Sequence, residues 1–392
     1  MAKLGEVFPV IRNGASIKQK SGAGGFPITR IETISNRTVN RSKMGYAGIF
    51  DIEKYQDYVL QDGDILMSHI NSEAHLGKVA LYTKQGNEQI IHGMNLLMLR
   101  SNSKKLLPEY AKYYFESWSF LRQIQRITKK SVNQASFTVT ALKEVEIPCV
   151  DIDAQKEIVK RLQNLEQLIS LREQQLVKLD ELIKARFVEM FGDLVVGDKI
   201  QTSKKKIGEI ASVTKLAGFE FTKYIQYKEH GDIIMLRGLN CKQGKLILDD
   251  VKWIDRETSD LLPRSKLYYG DILMTYAGTI GDVAMVDEND KYHLAPNVAK
   301  ISINNKKAYN PIFLMYLFLY SNDYIMRFAS QVAQASINME KIRNFEYYFP
   351  DVTFQNQFAT FVARVDQQKQ IVQHSLDRLE SMKKALMQEY FG

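Results

Sequence analysis

The spacing of apolar residues changes character along the chain, and the change occurs twice. In the first 150 residues, short apolar runs are broken by turns. Gly63-Asp64 introduces Ile65-Leu66-Met67, and Val79-Ala80-Leu81-Tyr82 and Leu96-Leu97-Met98-Leu99 read as further strands. Pro108 then opens a helical run through Tyr113, Tyr114, Phe115 and Leu121, since proline suits the first turn of a helix. From Gln155 the period becomes that of a long helix. Ile158, Leu162, Leu165, Ile169, Leu176, Leu179, Ile183 and Met190 follow steps of four and three, with Arg172 in one slot. Roughly five heptads without Gly or Pro predict a rod; some 36 residues at ~1.5 Å each make ~54 Å.

The same sequence of patterns then returns. Residues 271–274, 283–286 and 298–303 read as strands, and Pro311 opens a helix through Phe318. A second seam follows at Phe358, Val362, Val365, Val372, Leu376, Leu379, Leu386 and Tyr390, interrupted by Lys369 and Lys383. Identities support a duplication. Gly63-Asp64-Ile65-Leu66-Met67 recurs as Gly270-Asp271-Ile272-Leu273-Met274, and Lys3-Leu4-Gly5-Glu6-Val7 as Lys206-Ile207-Gly208-Glu209-Ile210. Gln134-Ala135-Ser136 matches Gln334-Ala335-Ser336, Asp151 and Gln155 match Asp351 and Gln355, and Phe191-Gly192 matches Phe391-Gly392. The shift is 203 residues at the first match, 207 at the second and 200 from Gln134 onward. Solenoid units run about 20–50 residues, so this is two copies of a whole unit.

The expected fold class is α+β. Two similar mixed α/β domains, 1–150 and 193–350, are separated by two long antiparallel coiled-coil helices, 151–192 and 351–392, with a pseudo-two-fold axis from the duplication. A second reading folds each helix back onto its own domain.

Composition narrows the class. At 392 residues, 45% hydrophobic and 25% charged, the chain has the make-up of a soluble protein with two or three cores. The longest apolar run, 312–320, is too short for a membrane span of about twenty residues and reads as a core helix. Two cysteines, Cys149 and Cys241, suit a reducing cytosol rather than a disulfide framework. The net charge of +8 is uneven: residues 1–150 carry 20 Lys+Arg against 13 Asp+Glu, and 193–350 carry 21 against 19. Both helical stretches are close to neutral, so the globular parts are where a polyanion would bind.

Catalytic patterns are missing. There is no phosphate-binding Gly-x-x-x-x-Gly-Lys-Ser/Thr loop, and Gly22-Ala23-Gly24-Gly25 lacks dinucleotide spacing. The six histidines have no metal-ligand spacing. Neither an amino-methyltransferase tetrapeptide nor a restriction-nuclease Pro-Asp…Asp/Glu-x-Lys pattern occurs.

Polar clusters at matching places are the candidate DNA contacts. After the shared strand come Ser68, His69 and Asn71 in one half, and Thr275, Tyr276 and Thr279 in the other, expected to protrude from a loop. Before the long helices lie Lys129, Lys130, Asn133 and Gln134, matched by Gln331, Gln334 and Asn338. Asn and Gln amides can pair with base edges, although Gln and Ser retained in both halves suit a hydrogen-bonded turn slightly better. Arg30 and Arg237 each follow a short apolar strand and could hold a phosphate or a guanine edge, or be solvated edge charges. Lys204 and Lys205 read as a solvated linker with a phosphate contact.

Globular unit, long helix, globular unit, long helix resembles the specificity subunit of type I restriction–modification systems. The resemblance rests on the duplicated Gly-Asp-Ile-Leu-Met strands, the Gln-Ala-Ser turns and the helix-entry pattern. Ile147-Pro148 with Gln155 keeps the first Pro of that pattern; Pro350 with Gln355 keeps the second. It implies two target-recognition domains, each reading half of a bipartite double-stranded DNA site, and a non-catalytic chain. The helices would set the spacer and dock two methyltransferase subunits, with two restriction subunits where present, through Ile158, Leu162, Leu165, Ile169, Leu176, Leu179, Phe358, Val365, Val372, Leu376 and Leu379. S-adenosylmethionine, ATP and Mg²⁺ would belong to those partners. Alternatives are the recognition part of a single-chain restriction or methylation enzyme, and a coiled-coil scaffold without DNA.

Overall fold

The computed structural model describes residues 1–17, 24–46, 48–132, 134–200, 202–330 and 335–392. The chain forms two compact units: Met1–Glu173 together with His374–Gly392, and Gln174–Gln373. Its two long helices, Ile152–Phe191 and Val352–Phe391, have 40 residues each, or ~60 Å at ~1.5 Å per residue. Each unit therefore owns the start of one long helix and the end of the other.

Both units are built on the same four-stranded antiparallel sheet. In the first unit the order is Val10–Asn13, Leu97–Arg100, Ile65–Met67, Val79–Leu81; in the second it is Ala211–Lys215, Val298–Ile303, Ile272–Thr275, Val283–Met285. All three residues of Ile65–Met67 are buried, as are all four of Ile272–Thr275. Continuous rather than alternating apolar runs are what a strand covered on both faces requires. A helix beginning at the expected proline, Pro108–Glu116 or Pro311–Tyr320, packs beside each sheet.

The duplicated motifs turn out to be structural fastenings. Gly63 and Gly270 hold φ of +85° and +86°, the left-handed region open to glycine, and each is followed by an aspartate that closes the turn. Asp64 accepts from the Gln61 N–H at 2.7 Å and Asp271 from the Tyr268 N–H at 2.9 Å. Gly5 and Gly208 sit on the short helices Leu4–Val7 and Ile207–Ile210. A Cβ there would lie 3.2 Å from the Lys143 Cβ and 3.0 Å from the Arg343 Cβ respectively. Gln155 and Gln355 are buried; the first accepts from the Leu107 N–H, the second from the Asn310 N–H, both at 2.9 Å. Each ties a long helix to the chain just ahead of the proline-started helix.

Within each unit the two helical segments run antiparallel. In the first, Arg161 Nη1 meets the Tyr390 hydroxyl at 3.1 Å and Glu166 meets Lys383 Nζ at 2.6 Å. In the second, Asp180 meets Lys369 Nζ at 2.5 Å and Phe187 stacks edge-on against Phe358 at 5.3 Å. The lysines that interrupt the second seam are thus neutralised by acids of the first helix. Neither helix folds back on its own domain alone: Phe391 packs on Tyr110 and Tyr114, and Phe191 on Phe313.

Two features depart from the sequence expectation, while the core-helix reading of 312–320 holds. The helical run after Pro108 is broken at Ser117, whose hydroxyl accepts from the Phe120 N–H and starts a second helix, Trp118–Ile127. The buried seam includes Val159, Phe187 and Phe191, because the helix ends pack on globular parts as well as on the other helix: Phe187 and Phe191 each touch both Phe313 and Phe358. The apolar helix Pro311–Tyr320 is covered on its outer side by a hairpin, Cys241–Lys242 with Lys245–Leu246, whose Gly244 would place a Cβ 3.4 Å from Met315 and 3.5 Å from Leu319.

Candidate nucleic-acid interface

In each unit the sheet brings the polar clusters to one end. Ile65–Met67 carries the chain to the loop at 68–71, where Ile70–Asn71 pairs with Ala135–Ser136, which pairs in turn with Lys129–Lys130. The Phe137 N–H donates to the His69 carbonyl at 3.2 Å. The second unit repeats this closure: Ala277 bridges Ser336, and the Ile337 N–H donates to the Tyr276 carbonyl at 2.9 Å. Two clusters some sixty residues apart in sequence therefore form one surface in each half, opposite the Gly-Asp turn and its adjoining proline-started helix. Asn133, Gln331 and Gln334 lie outside the described residues.

Several individual expectations need correction. Ser68, His69 and Thr275 are buried rather than protruding. Ser68 is held by backbone bonds with Lys78 and Gly77. The Thr275 hydroxyl donates to the Thr279 carbonyl and accepts from the Asp282 N–H at 3.0 Å. Both residues lock the loop from inside. Asn338 caps the helix Met339–Arg343, accepting from the Lys341 N–H at 2.8 Å. Lys204 and Lys205 belong to a strand, Lys204–Lys206, paired with Glu346–Tyr348, so they are no linker and stand apart from the sheet-end surface. Lys205 Nζ donates to the Tyr309 hydroxyl at 2.9 Å. The seam residues expected to dock partners are turned inward: Leu162, Leu165, Leu179, Phe358, Val365, Val372 and Leu376 are buried, and Ile158, Ile169, Leu176 and Leu379 are half-buried. They hold the helix segments together.

What remains on the surface is largely polar and basic, with Ile70 and Val132 also exposed. Lys129 and Lys130 are exposed, Lys130 beside Glu73 at 2.9 Å, and Asn71 is half-buried with its amide 3.4 Å from Ser68 Oγ. In the second unit Lys215 Nζ lies 5.5 Å above the Tyr276 ring. The residues before Arg30 and Arg237 are tied to the segments that lead into the neighbouring sheet strands: Thr29 Oγ1 accepts from the Gly93 N–H and the Leu236 carbonyl from the Ala295 N–H. Arg237 is committed internally, donating to the Asp250 carbonyl and carboxylate at 2.9 and 2.8 Å.

Comparison with known proteins fits this duplicated arrangement. The sequence model of the type I restriction modification DNA specificity domain matches twice, over residues 1–181 and 201–381. The chain belongs to the type I restriction–modification DNA specificity family. A protein of Methanocaldococcus jannaschii named as the specificity subunit of the type I restriction enzyme MjaX is 30% identical over 405 residues, covering 98% of this chain and 91% of that protein. Two solved structures share the fold. One, from work on complex assembly and conformational transition of the type I R-M system, has a TM-score of 0.62 at 15% identity, covering 100% of this chain and 96% of that one. The other, the S subunit of M. genitalium, has a TM-score of 0.54 at 14% identity, covering 100% and 95%. The function established with the family is that of a specificity subunit. No helix among the described residues is long and apolar enough to cross a membrane.

Two groups, the buried His92 and the half-buried Glu88, make the first unit acid-sensitive. Burial pushes His92 from its ordinary 6.5 down to about 3, so it is neutral in the fold. Glu88 is held down at about 2, chiefly by the hydrogen bond from Arg41, whose Nε lies 2.8 Å from it. The unfolded chain binds the extra proton on His92 below about pH 6.5 and on Glu88 below about 4.5. Both therefore stabilise the fold at neutral pH and lose that contribution as pH falls through those windows. Urea midpoints measured from pH 7.5 to 5 are expected to fall, with a limiting slope of roughly 1.4 kcal/mol per pH unit from a single histidine. His92→Asn should flatten that slope; an unchanged slope would assign the effect elsewhere.

Proposed function

We propose that each unit reads one half of a bipartite double-stranded DNA target through its sheet-end surface, and that the two long helices set the spacer between the half-sites. The chain is non-catalytic by itself. Two methyltransferase subunits, and restriction subunits in the complete enzyme, supply the chemistry together with S-adenosylmethionine, ATP and Mg²⁺. The supporting observation is the repetition of one scaffold with different side chains at the same place. The Gly-Asp strand, the closing turn and the Gln fastening are shared, whereas the loop carries His69 and Ile70 in one unit where Tyr276 and Ala277 stand in the other. Shared fastenings with divergent tips are what two readers of different sequences need.

Exchanging residues 1–150 for the corresponding part of a homologous chain should change one half-site of the modified DNA motif and leave the other. Sequencing of modified bases in cells carrying the hybrid measures this. A motif altered in both halves would rule out modular reading. Gel-shift affinity should also fall steeply with salt, as phosphate contacts demand.

A further inference from the structure

We propose that Asn95 and Asn297 are base-reading residues, one in each unit, each presenting its carboxamide to an adenine edge in the major groove. The inference rests on the reading of each unit as a DNA reader and adds the contact that specifies.

The two asparagines occupy the same place in the duplicated fold. Leu66 pairs with Met98 and Leu273 with Lys300, so position 98 matches 300 and Asn95 matches Asn297. Each lies just ahead of the sheet strand that neighbours the Gly-Asp strand. Antiparallel pairing of Met67 with Leu97, and of Thr275 with Val298, puts both beside the loop that follows the Gly-Asp strand. In the second unit the link is direct. The Tyr276 N–H donates to the Asn297 carbonyl at 3.0 Å, and the Asn297 N–H donates to the Tyr276 hydroxyl at 3.3 Å.

Both side chains are exposed, although the strand that follows them is buried. Among the described residues neither carboxamide takes part in a hydrogen bond, in contrast to Asn240, which donates to Ile247 and Asp250, and Asn338, which caps a helix. A backbone requirement does not account for the shared residue. Asn297 holds φ of +68°, which asparagine tolerates, but Asn95 is not among the residues of positive φ. What the two positions share is the amide itself, a donor beside an acceptor. That pair matches the N6 donor and N7 acceptor of adenine and discriminates by about 5- to 150-fold against other bases.

The test uses the full-length chain co-expressed with its methyltransferase subunits and a randomised double-stranded DNA library. Asn297→Ala, Asn297→Gly and Asn95→Ala are compared with the parent chain. Each variant is expected to lose about 5- to 150-fold discrimination at one base pair of one half-site, Asn95→Ala in the half opposite to the other two. Affinity for random duplex should be retained by all three, and melting temperature by Asn95→Ala and Asn297→Gly, whereas Asn297→Ala should melt lower because alanine is strained at φ of +68°. Glycine adopts the left-handed conformation freely, so parental discrimination by Asn297→Gly would show that the residue serves only the backbone. Parental discrimination by all three would overturn the proposal while leaving the DNA-reader reading intact. A parent complex that selects no sequence from the library would overturn both.

Discussion

Phe391→Ala is expected to destabilise the first unit by about 3–5 kcal/mol, although the substituted residue lies more than 200 positions from most of that unit. Its ring is buried between Tyr110, at 5.2 Å, and Tyr114, at 5.9 Å, both on the helix Pro108–Glu116. Removing it leaves a ring-sized void among aromatic side chains that are already in contact with Phe115 and Phe120 and have little room to collapse. Phe191→Ala should do the same to the second unit, where Phe191 touches Phe187, Phe313 and Phe358. Hydrogen exchange on each variant resolves the assignment. Protection should fall around residues 108–127 in the first case and around 311–326 in the second. Loss confined to the helix that carries the substitution would contradict the shared-helix architecture.

Asp64→Ala is expected to cost about 3–5 kcal/mol, more than the matching Asp271→Ala at about 1–3 kcal/mol. The Asp64 carboxylate is fully buried and receives Arg100 in a two-pronged contact, Nε at 2.7 Å and Nη2 at 2.8 Å. Truncation strands a guanidinium that is itself mostly enclosed, as well as the Gln61 N–H. Asp271 performs the same turn closure, but its second oxygen takes a neutral donor, the Ser302 hydroxyl at 2.6 Å. The nearby Lys300 ammonium, which Asp271 favours electrostatically, keeps its bonds to the Arg264 and Lys266 carbonyls at 2.7 and 2.9 Å. Urea denaturation of both single variants would show the difference; equal losses would mean that the turn bond, rather than the ion pair, dominates.

Much of the scaffold was legible in the sequence because it rests on local patterns. The strand at 298–303 and the helices opened by Pro108 and Pro311 begin where the pattern placed them. The duplicated Gly-Asp and Gln positions could be located but not explained. Their partners, Gln61 and Leu107, are ordinary residues brought into place only by the fold. Loop orientation was the part that failed. Ser68 and Thr275 have the polarity of exposed tips, yet bonds across their own hairpins, to Lys78 and Asp282, hold them inside. Lys369 and Lys383 looked like defects in the seam because their acids, Asp180 and Glu166, are about 190 and 217 residues away. Asn95 and Asn297 were missed because they sit next to apolar strands, in short stretches with no charge or repeat to mark them. An alignment of the two halves through the strands, at a shift of 202, would have exposed the coincidence.

The ownership of residues 374–392 by the first unit has a consequence for synthesis. A nascent chain can assemble the sheet of that unit early, but Tyr110 and Tyr114 keep an uncovered aromatic face until residues 374–392 leave the ribosome. At about 5–20 residues per second, the roughly 200 intervening residues impose a wait of about 10–40 s. During that interval the leading half is an incomplete, adhesive intermediate, so truncated translation products should be the species that chaperones hold and proteases clear.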